Sequence, residues 1–360
     1  MKNEQPKSKN HWFPTLLLKW NNQQNNRQMP WKGEKDPYKI WLSEIILQQT
    51  RVEQGLKYYQ HFIKIFPDVH KLAKAPDEKI FKLWEGLGYY SRCRNLIATA
   101  RFISNELKGE FPVSYKKINE LKGVGPYTAA AIASFAYNLP YAVVDGNVFR
   151  VLARVFGIDK PIDSAAGKKY FSARAAEMLD KKQPGLYNQA IMDFGATVCK
   201  PATPDCTNCT FRKHCFAFTS NMISALPVKG KKATVSKRWF YYFVMEYKNE
   251  VVIKQRTEKD IWKDLYDFPV IEAKREMSKK KILNHPALQG WLCDNDYEIK
   301  NITSLYRQQL SHQLITGRFI TIAVKQKVKL QHGWQLVKNE RVKDFAFPQF
   351  VNQYLKHVQR

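Results

Sequence analysis

Acidic residues are scarce in this chain. Only 32 Asp and Glu stand against 59 Lys and Arg, a formal charge of +27 over 360 residues. This balance favours a polyanionic partner over an acidic small molecule and puts nucleic acid first. A basic, solvated surface is the plainer alternative, so motifs must decide. Long apolar runs are also missing. The stretch Phe13 to Leu18 is too short for a signal-peptide core or a membrane span, and the segment before it, MKNEQPKSKN, is polar and lysine-rich. An intracellular, cytoplasmic protein is therefore expected. No internal repeat or low-complexity tract is found. Cysteine is sparse, six in all, yet Cys199, Cys206, Cys209 and Cys215 crowd into seventeen positions while Cys93 and Cys293 stand alone. In a reducing compartment such a cluster binds metal more often than it forms disulfides.

A hydrophobic content of 44% at this length supplies cores for two ordinary domains. Strand signals are scarce between about Phe13 and Phe218. Apolar residues recur there at three- and four-residue spacing in Tyr38 to Gln49, Lys79 to Leu87, Arg92 to Leu107 and Tyr127 to Tyr137, which predicts helices. Asp36-Pro37 reads as an N-cap followed by proline at the first helical position, and Gly125-Pro126 repeats the device. The texture changes at Ser220 to Ser236, where Pro227, Gly230 and the basic run Lys229 to Lys232 mark a linker. Beyond it, Trp239 to Tyr247, Val251 to Lys254 and Phe319 to Val328 carry the aromatic and β-branched residues of strands. The expected organisation is a helical domain over 1–218, a linker over 219–235 and an α+β domain over 236–360.

The cysteine spacing is C-x6-C-x2-C-x5-C. Four thiolates in a short loop can wrap either a tetrahedral zinc or a four-iron cluster, and only the middle pair has the knuckle form usual for zinc. The neighbouring Arg212, Lys213 and His214 face phosphate or are simply solvated. In Leu121-Lys122-Gly123-Val124-Gly125-Pro126-Tyr127, two glycines precede a helix start, an arrangement that offers backbone N–H groups to a phosphate. An ordinary helix–helix turn would read similarly.

Two acids stand in unusual settings. Glu44 is the lone acid in Ile40 to Leu47, a segment apolar nearly all round, and burial would raise its pKa and keep it protonated for proton donation. From pattern alone, pairing with a base or exposure to solvent is the commoner outcome. Asp145 follows the apolar run Ala142 to Val144 and abuts Gly146, which reads as a ligand-approach site or as a simple Asp-Gly turn. Two carboxylates can divide the work of cleaving a glycosidic bond, one as acid and one stabilising the cationic sugar.

The cysteine loop and glycine hairpin resemble those of the endonuclease III superfamily of helix-hairpin-helix DNA glycosylases. Trp41-Leu42-Ser43-Glu44-Ile45-Ile46-Leu47-Gln48-Gln49-Thr50 and Val144-Asp145-Gly146-Asn147-Val148-Phe149-Arg150 look like the two signature segments of its MutY-type adenine glycosylases. The likeness extends through Gly86-Leu87-Gly88-Tyr89-Tyr90 and covers nearly the whole chain. It implies an all-α domain, with the hairpin at about 114–137 and a [4Fe-4S] loop at 199–215, followed by a MutT-like domain. It implies that Cys199, Cys206, Cys209 and Cys215 hold the cluster. Glu44 would protonate adenine, Asp145 and Tyr127 would stabilise or trap the cationic sugar, and Asn147 would orient the aspartate or water. Arg27, Trp31, Leu47, Gln189 and Met192 would line the adenine pocket, with Gln189 where some relatives have glutamate. Gly123 and Gly125 would meet phosphate. Gln49 and Tyr89 would fill the gap left by a flipped base, and Thr50 and Leu87 would touch the opposite base. Bifunctional relatives carry a nucleophilic lysine where this chain has Tyr127, which cannot form an imine.

The second domain lacks the glutamate-rich metal helix of MutT, since Val270-Ile271-Glu272 follows Phe268-Pro269 without it. Lesion recognition is what remains. Leu310-Ser311-His312 falls where the resemblance has an aromatic-Ser-His loop that meets oxidised guanine, the leucine departing from that pattern. The expectation is a monomeric, monofunctional DNA glycosylase that removes adenine opposite 8-oxoguanine or guanine in double-stranded DNA. The alternatives are an endonuclease III-like glycosylase and lyase, and a zinc-stabilised, non-catalytic DNA-binding protein.

Overall fold

The computed structural model describes residues 11–230, 235–293 and 295–358. The N-terminal MKNEQPKSKN and positions 231–234 of the expected linker lie outside the described residues. The helical part contains α1 (Trp12–Gln24), α2 (Pro37–Leu47), α3 (Val52–Ile65), α4 (Val69–Lys74), α5 (Asp77–Trp84), α6 (Ser91–Asn105), α7 (Tyr115–Asn119), α8 (Pro126–Tyr137), α9 (Gly146–Phe156), α10 (Ala165–Met178), α11 (Pro184–Thr197) and α12 (Phe216–Thr219). The four helices expected from periodicity are present as α2, α5, α6 and α8. The second part contains β1 (Ser236–Tyr247), β2 (Glu250–Gln255), β3 (Tyr266–Asp267), β4 (Val270–Ala273), α13 (Lys279–Leu283), α14 (Pro286–Leu292), β5 (Tyr297–Ile302), β6 (Tyr306–Gln309), β7 (Gln313–Val324), β8 (Trp334–Lys338) and α15 (Gln349–Val358).

Two compact units result. One comprises 1–74 and 95–231; the other comprises 75–94 and 232–360. In the first, Phe13 and Leu17 of α1 pack with Val151 and Leu152 of α9, Phe171 of α10, Phe194 of α11 and Phe211. Asp36 caps α2 by accepting from the Tyr38 N–H, with Pro37 at the first turn, and Pro126 opens α8 behind Gly125. The segment after α12 is pinned to this unit. Arg154 Nε donates to the Leu226 carbonyl and Gly230 N–H donates to Asp163.

The second unit is built on a mixed sheet. Its path runs β3-β2-β1-β7-β5, with β4 on β1, β6 on β7 and β8 on β2. The long strands β1 and β7 are parallel and the other pairs antiparallel. One face buries Tyr241, Phe243 and Ile322 with Ile282 of α13 and Leu288 of α14. On the other, Phe319 stacks between Tyr242 and Tyr354 of α15. The strand expected over Phe319 to Val328 begins earlier, at Gln313, and ends at Val324. α5 and the turn after it belong to this unit: Lys82 Nζ donates to the Phe345 carbonyl and Phe347 N–H donates to Glu85.

Candidate active site

Glu44 sits in the third turn of α2, a helix whose residues Tyr38 and Ile40 to Ile46 are all buried. Its exposure is 7%. Burial pushes its carboxyl up to about 7; a hydrogen bond from the Tyr127 hydroxyl opposes this and the nearby Asp145 charge adds to it. Tyr127 stands in the first turn of α8, and its own ionisation is driven well above the usual range by burial, with Glu44 and Asp145 contributing. Asp145 caps α9 by accepting from the Val148 N–H at 2.8 Å, so it faces the positive end of that helix. Its carboxyl is raised by burial, against hydrogen bonds from Val148 and Asn147 that favour the anion. An Asp-Gly turn is thus not what forms; the residue is a helix cap, and Gly146 is the first helical position. The structure brings together two carboxyls of raised pKa and one neutral phenol.

Asn147 links this trio to the cysteine loop. Its Nδ2 donates to Asp145 at 2.8 Å while its Oδ1 accepts from Arg150 Nη2 at 2.8 Å. Arg150 Nε then donates to the Cys199 carbonyl at 2.7 Å. Arg154, buried one turn further on, places Nη1 3.5 Å from Cys199 Sγ and accepts from Cys215 Sγ through its carbonyl. Burial raises the Cys206, Cys209 and Cys215 thiols, Cys209 to about 12, and Cys199 nearby raises all three further. Among the described residues no group of three or more His, Cys, Asp or Glu converges as a site for one metal ion.

The residues expected to line a base pocket divide. Met192 Sδ lies 3.5 Å from the Tyr127 hydroxyl. Arg27 and Gln189 meet on a residue that the sequence reading missed, Asp193, whose side chain is fully buried. Asp193 accepts from Arg27 Nη1 at 2.8 Å, Asn25 Nδ2 at 2.9 Å and Gln189 Nε2 at 3.0 Å, with Lys32 Nζ at 3.1 Å. The signal that singled out Glu44 was available here too, since Asp193 is the lone acid of α11. Trp31 packs edge-on against Tyr59, and Leu47 lies over Gly55 at the end of α2.

The expected DNA-contacting positions share a backbone feature. Gln49 and Tyr89, both non-glycine, have φ of 55° and 49°, a left-handed conformation that costs energy without glycine and gathers at functional sites. Thr50 closes the turn after α2 through its N–H to the Leu47 carbonyl. Gly123 has φ of +81°, and a Cβ there would meet Asn95 at 2.6 Å, so only glycine fits; above Gly125 the space is open. In the second unit Leu87 is buried and Tyr89 exposed. Leu310, Ser311 and His312 form the turn between β6 and β7, closed by Leu310 N–H to the Gln313 carbonyl at 2.7 Å. The Ser311 and Tyr89 hydroxyls are hydrogen-bonded, across a cleft of about 820 Å³ that Trp262 and Asp260 also line. Arg238 braces this cleft from β1, bonding Asp260 at 2.9 Å and Gln313 at 3.3 Å.

A helical unit that brings Glu44, Tyr127 and Asp145 together, and a separate sheet unit with an exposed turn at Ser311-His312, are the architecture of a two-part base-excision enzyme. Residues 42–173 match the family described as HhH-GPD superfamily base excision DNA repair protein, and residues 241–357 match the NUDIX domain. The chain is similar to the adenine DNA glycosylase of Buchnera aphidicola subsp. Schizaphis graminum, 35% identical over 359 residues, covering 96% of this chain and 98% of that one. The same enzyme of Buchnera aphidicola subsp. Baizongia pistaciae is 34% identical over 307 residues, 83% of each chain. Among solved structures, a thermostable thymine-DNA glycosylase superposes with a TM-score of 0.54 at 30% identity, covering 58% of this chain and 96% of its own. The chain belongs to the adenine DNA glycosylase family of base-excision repair enzymes. No helix among the described residues is long and apolar enough to cross a membrane.

Proposed function

We propose that this glycosylase removes adenine paired with 8-oxoguanine, or with guanine, from double-stranded DNA and leaves an abasic site without cutting the strand. The observation that carries the chemistry is Glu44, protonated up to about pH 7 beside Tyr127 and Asp145. Glu44 donates its proton to a ring nitrogen of the flipped adenine, and the electron pair of the glycosidic bond leaves with the base. Asp145 and Tyr127 stabilise the cationic sugar, and Asn147 holds Asp145 in place while a water oxygen bonds the anomeric carbon and gives its proton to Asp145. Tyr127 offers no amine, so no imine forms and the lyase reaction is absent. Arg27, Trp31, Leu47, Gln189 and Met192 line the adenine pocket in this reading.

Gln49 and Tyr89, held in left-handed turns, fill the space left by the extruded base; Thr50 and Leu87 meet the opposite base; Gly123 and Gly125 let the backbone approach phosphate. The second domain reads the lesion through Ser311 and His312. Support comes from α13 and α14, which follow β4 without a single carboxylate, whereas MutT-type hydrolysis draws its metal-binding acids from a helix. The functional division is 1–218, a 219–235 linker and 236–360, in a monomeric enzyme acting at the nucleoid in the cytoplasm.

Cys199, Cys206, Cys209 and Cys215 fit a [4Fe-4S] cluster by their donor chemistry. They are four soft thiols whose charged forms oppose one another, with Arg154 at hand to offset the net charge. When bound, the cluster supplies a covalent staple to the loop beneath Arg150. Aerobically purified protein should contain about four irons with acid-labile sulfide; stoichiometric zinc would overturn this assignment. The activity is tested on duplexes with A opposite 8-oxoguanine or guanine, with and without alkali. Cleavage only after alkali, and no adduct with borohydride, is expected; a borohydride-trapped wild-type enzyme would make it a lyase.

A further inference from the structure

We propose that Asp193 is a positioning residue that sets the hydrogen-bonding sense of Gln189, making it an acceptor toward the 6-position of the base. This rests on the reading that Gln189 lines the adenine pocket. An amide side chain can present either its oxygen or its NH2 to a partner, and a glutamine in an open pocket serves both adenine and a 6-oxopurine. Here the choice is removed. Asp193 is fully buried and carries two cations, Arg27 at 2.8 Å and Lys32 at 3.1 Å. Both of its oxygens already accept, Oδ1 from Arg27 and Oδ2 from Asn25 and Lys32, so it offers Gln189 only an acceptor. The Gln189 atom 3.0 Å from it is therefore Nε2, and Oε1 is turned away from Asp193.

The direction left to Oε1 matters because Gln189 and Met192 lie three residues apart on one face of α11, and Met192 meets Tyr127. Adenine carries an amino donor at position 6, whereas guanine and hypoxanthine carry a carbonyl acceptor. An oxygen held there accepts from adenine and opposes the 6-oxo bases, with a buried polar group left unpaired whenever the wrong base enters. Asn25, donating to Asp193 at 2.9 Å, completes the shell that holds the carboxylate still. A neutral glutamine thereby behaves as a glutamate would at this position, without bringing a second charge next to Asp193.

The test measures single-turnover excision of adenine, purine and hypoxanthine opposite guanine, each rate scaled to acid depurination of the same base. Asp193→Asn supplies an amide that both donates and accepts, so Gln189 is free to turn, and the adenine-to-hypoxanthine ratio should fall by about tenfold, the worth of one hydrogen bond. In the double variant Gln189→Glu with Asp193→Asn the bond runs the other way, the introduced amide donating to the introduced carboxylate, and an acceptor again faces the base; the ratio should recover. A double variant no more selective than Asp193→Asn overturns the proposal, because a purely structural aspartate would not be rescued by reversing the pair. If Asp193→Asn does not fold, the double variant and the wild type decide: a wild-type ratio near one is equally fatal. Gln189→Ala separates the two levels. Unchanged ratios in Gln189→Ala would remove Gln189 from the pocket and with it the underlying reading; a lowered ratio there alongside an unaffected Asp193→Asn overturns only the positioning role.

Discussion

Around Glu44, three ionisable side chains come together, and burial is the largest influence on the ionisation of each. At the turn from Leu310 to His312 the conditions are reversed: Ser311 and His312 stand exposed on a hairpin, and the Ser311 hydroxyl meets that of Tyr89. The contrast fits the roles proposed for the two places. Proton donation at neutral pH needs a carboxyl whose charged form is penalised, so the acid must be sunk in an apolar helix. On the proposed reading, a base that remains in the duplex is met by donors and acceptors within reach of a surface, and the turn that carries them is backed by Arg238 through Gln313.

The sharpest way to break the comparison is at Glu44. Glu44→Gln keeps the shape and removes the proton, and adenine release should fall by about 10²–10⁴-fold with duplex affinity preserved. Near-normal turnover would take Glu44 out of the mechanism. The same residue predicts a pH profile. Its folded pKa is raised to about 7, so it is protonated below that pH and loses its proton above it. The wild-type rate should be level on the acid side and drop roughly tenfold per pH unit above about 7; a rate still rising at pH 8 would contradict burial as the controlling influence.

Asp145→Asn should cost somewhat less, about 10²–10³ in the rate of the chemical step, through weaker stabilisation of the cationic sugar. If affinity alone suffers, Asp145 is only the cap of α9. The smallest effect belongs to the exposed site. Ser311→Ala with His312→Ala removes two neutral contacts and should lower the preference for A opposite 8-oxoguanine over A opposite guanine by about tenfold, with the plain mismatch still processed. Equal losses on both duplexes would make the second domain a general DNA-binding or stabilising part, and the contrast between the two regions would lose its meaning.

Much of this was legible before any fold was known. The helices around Glu44 and Tyr127, the cap at Asp36, the strands β1 and β2 and the cysteine spacing are local patterns, written in periodicity and in residue types that punctuate the chain. Glu44 and Asp145 could be singled out because each is an acid in an apolar setting. Pattern alone could not say whether Glu44 would find a base or solvent; packing decided that, by burying α2 on nearly every side. Asp145 became a helix cap rather than a turn because α9 begins at Gly146, which depends on where that helix packs. Asp193 carried the same lone-acid signal and was passed over, since its importance lies in Asn25, Arg27 and Lys32, which come from the far N-terminal end of the chain. The grouping of α5 and Tyr89 with the sheet unit is likewise invisible in sequence. Residue types and spacing determined which chemistry the chain could carry. Burial and long-range hydrogen bonding, which depend on contacts between distant segments, decided which residues hold a proton, which hold a charge, and which hold their neighbours in position.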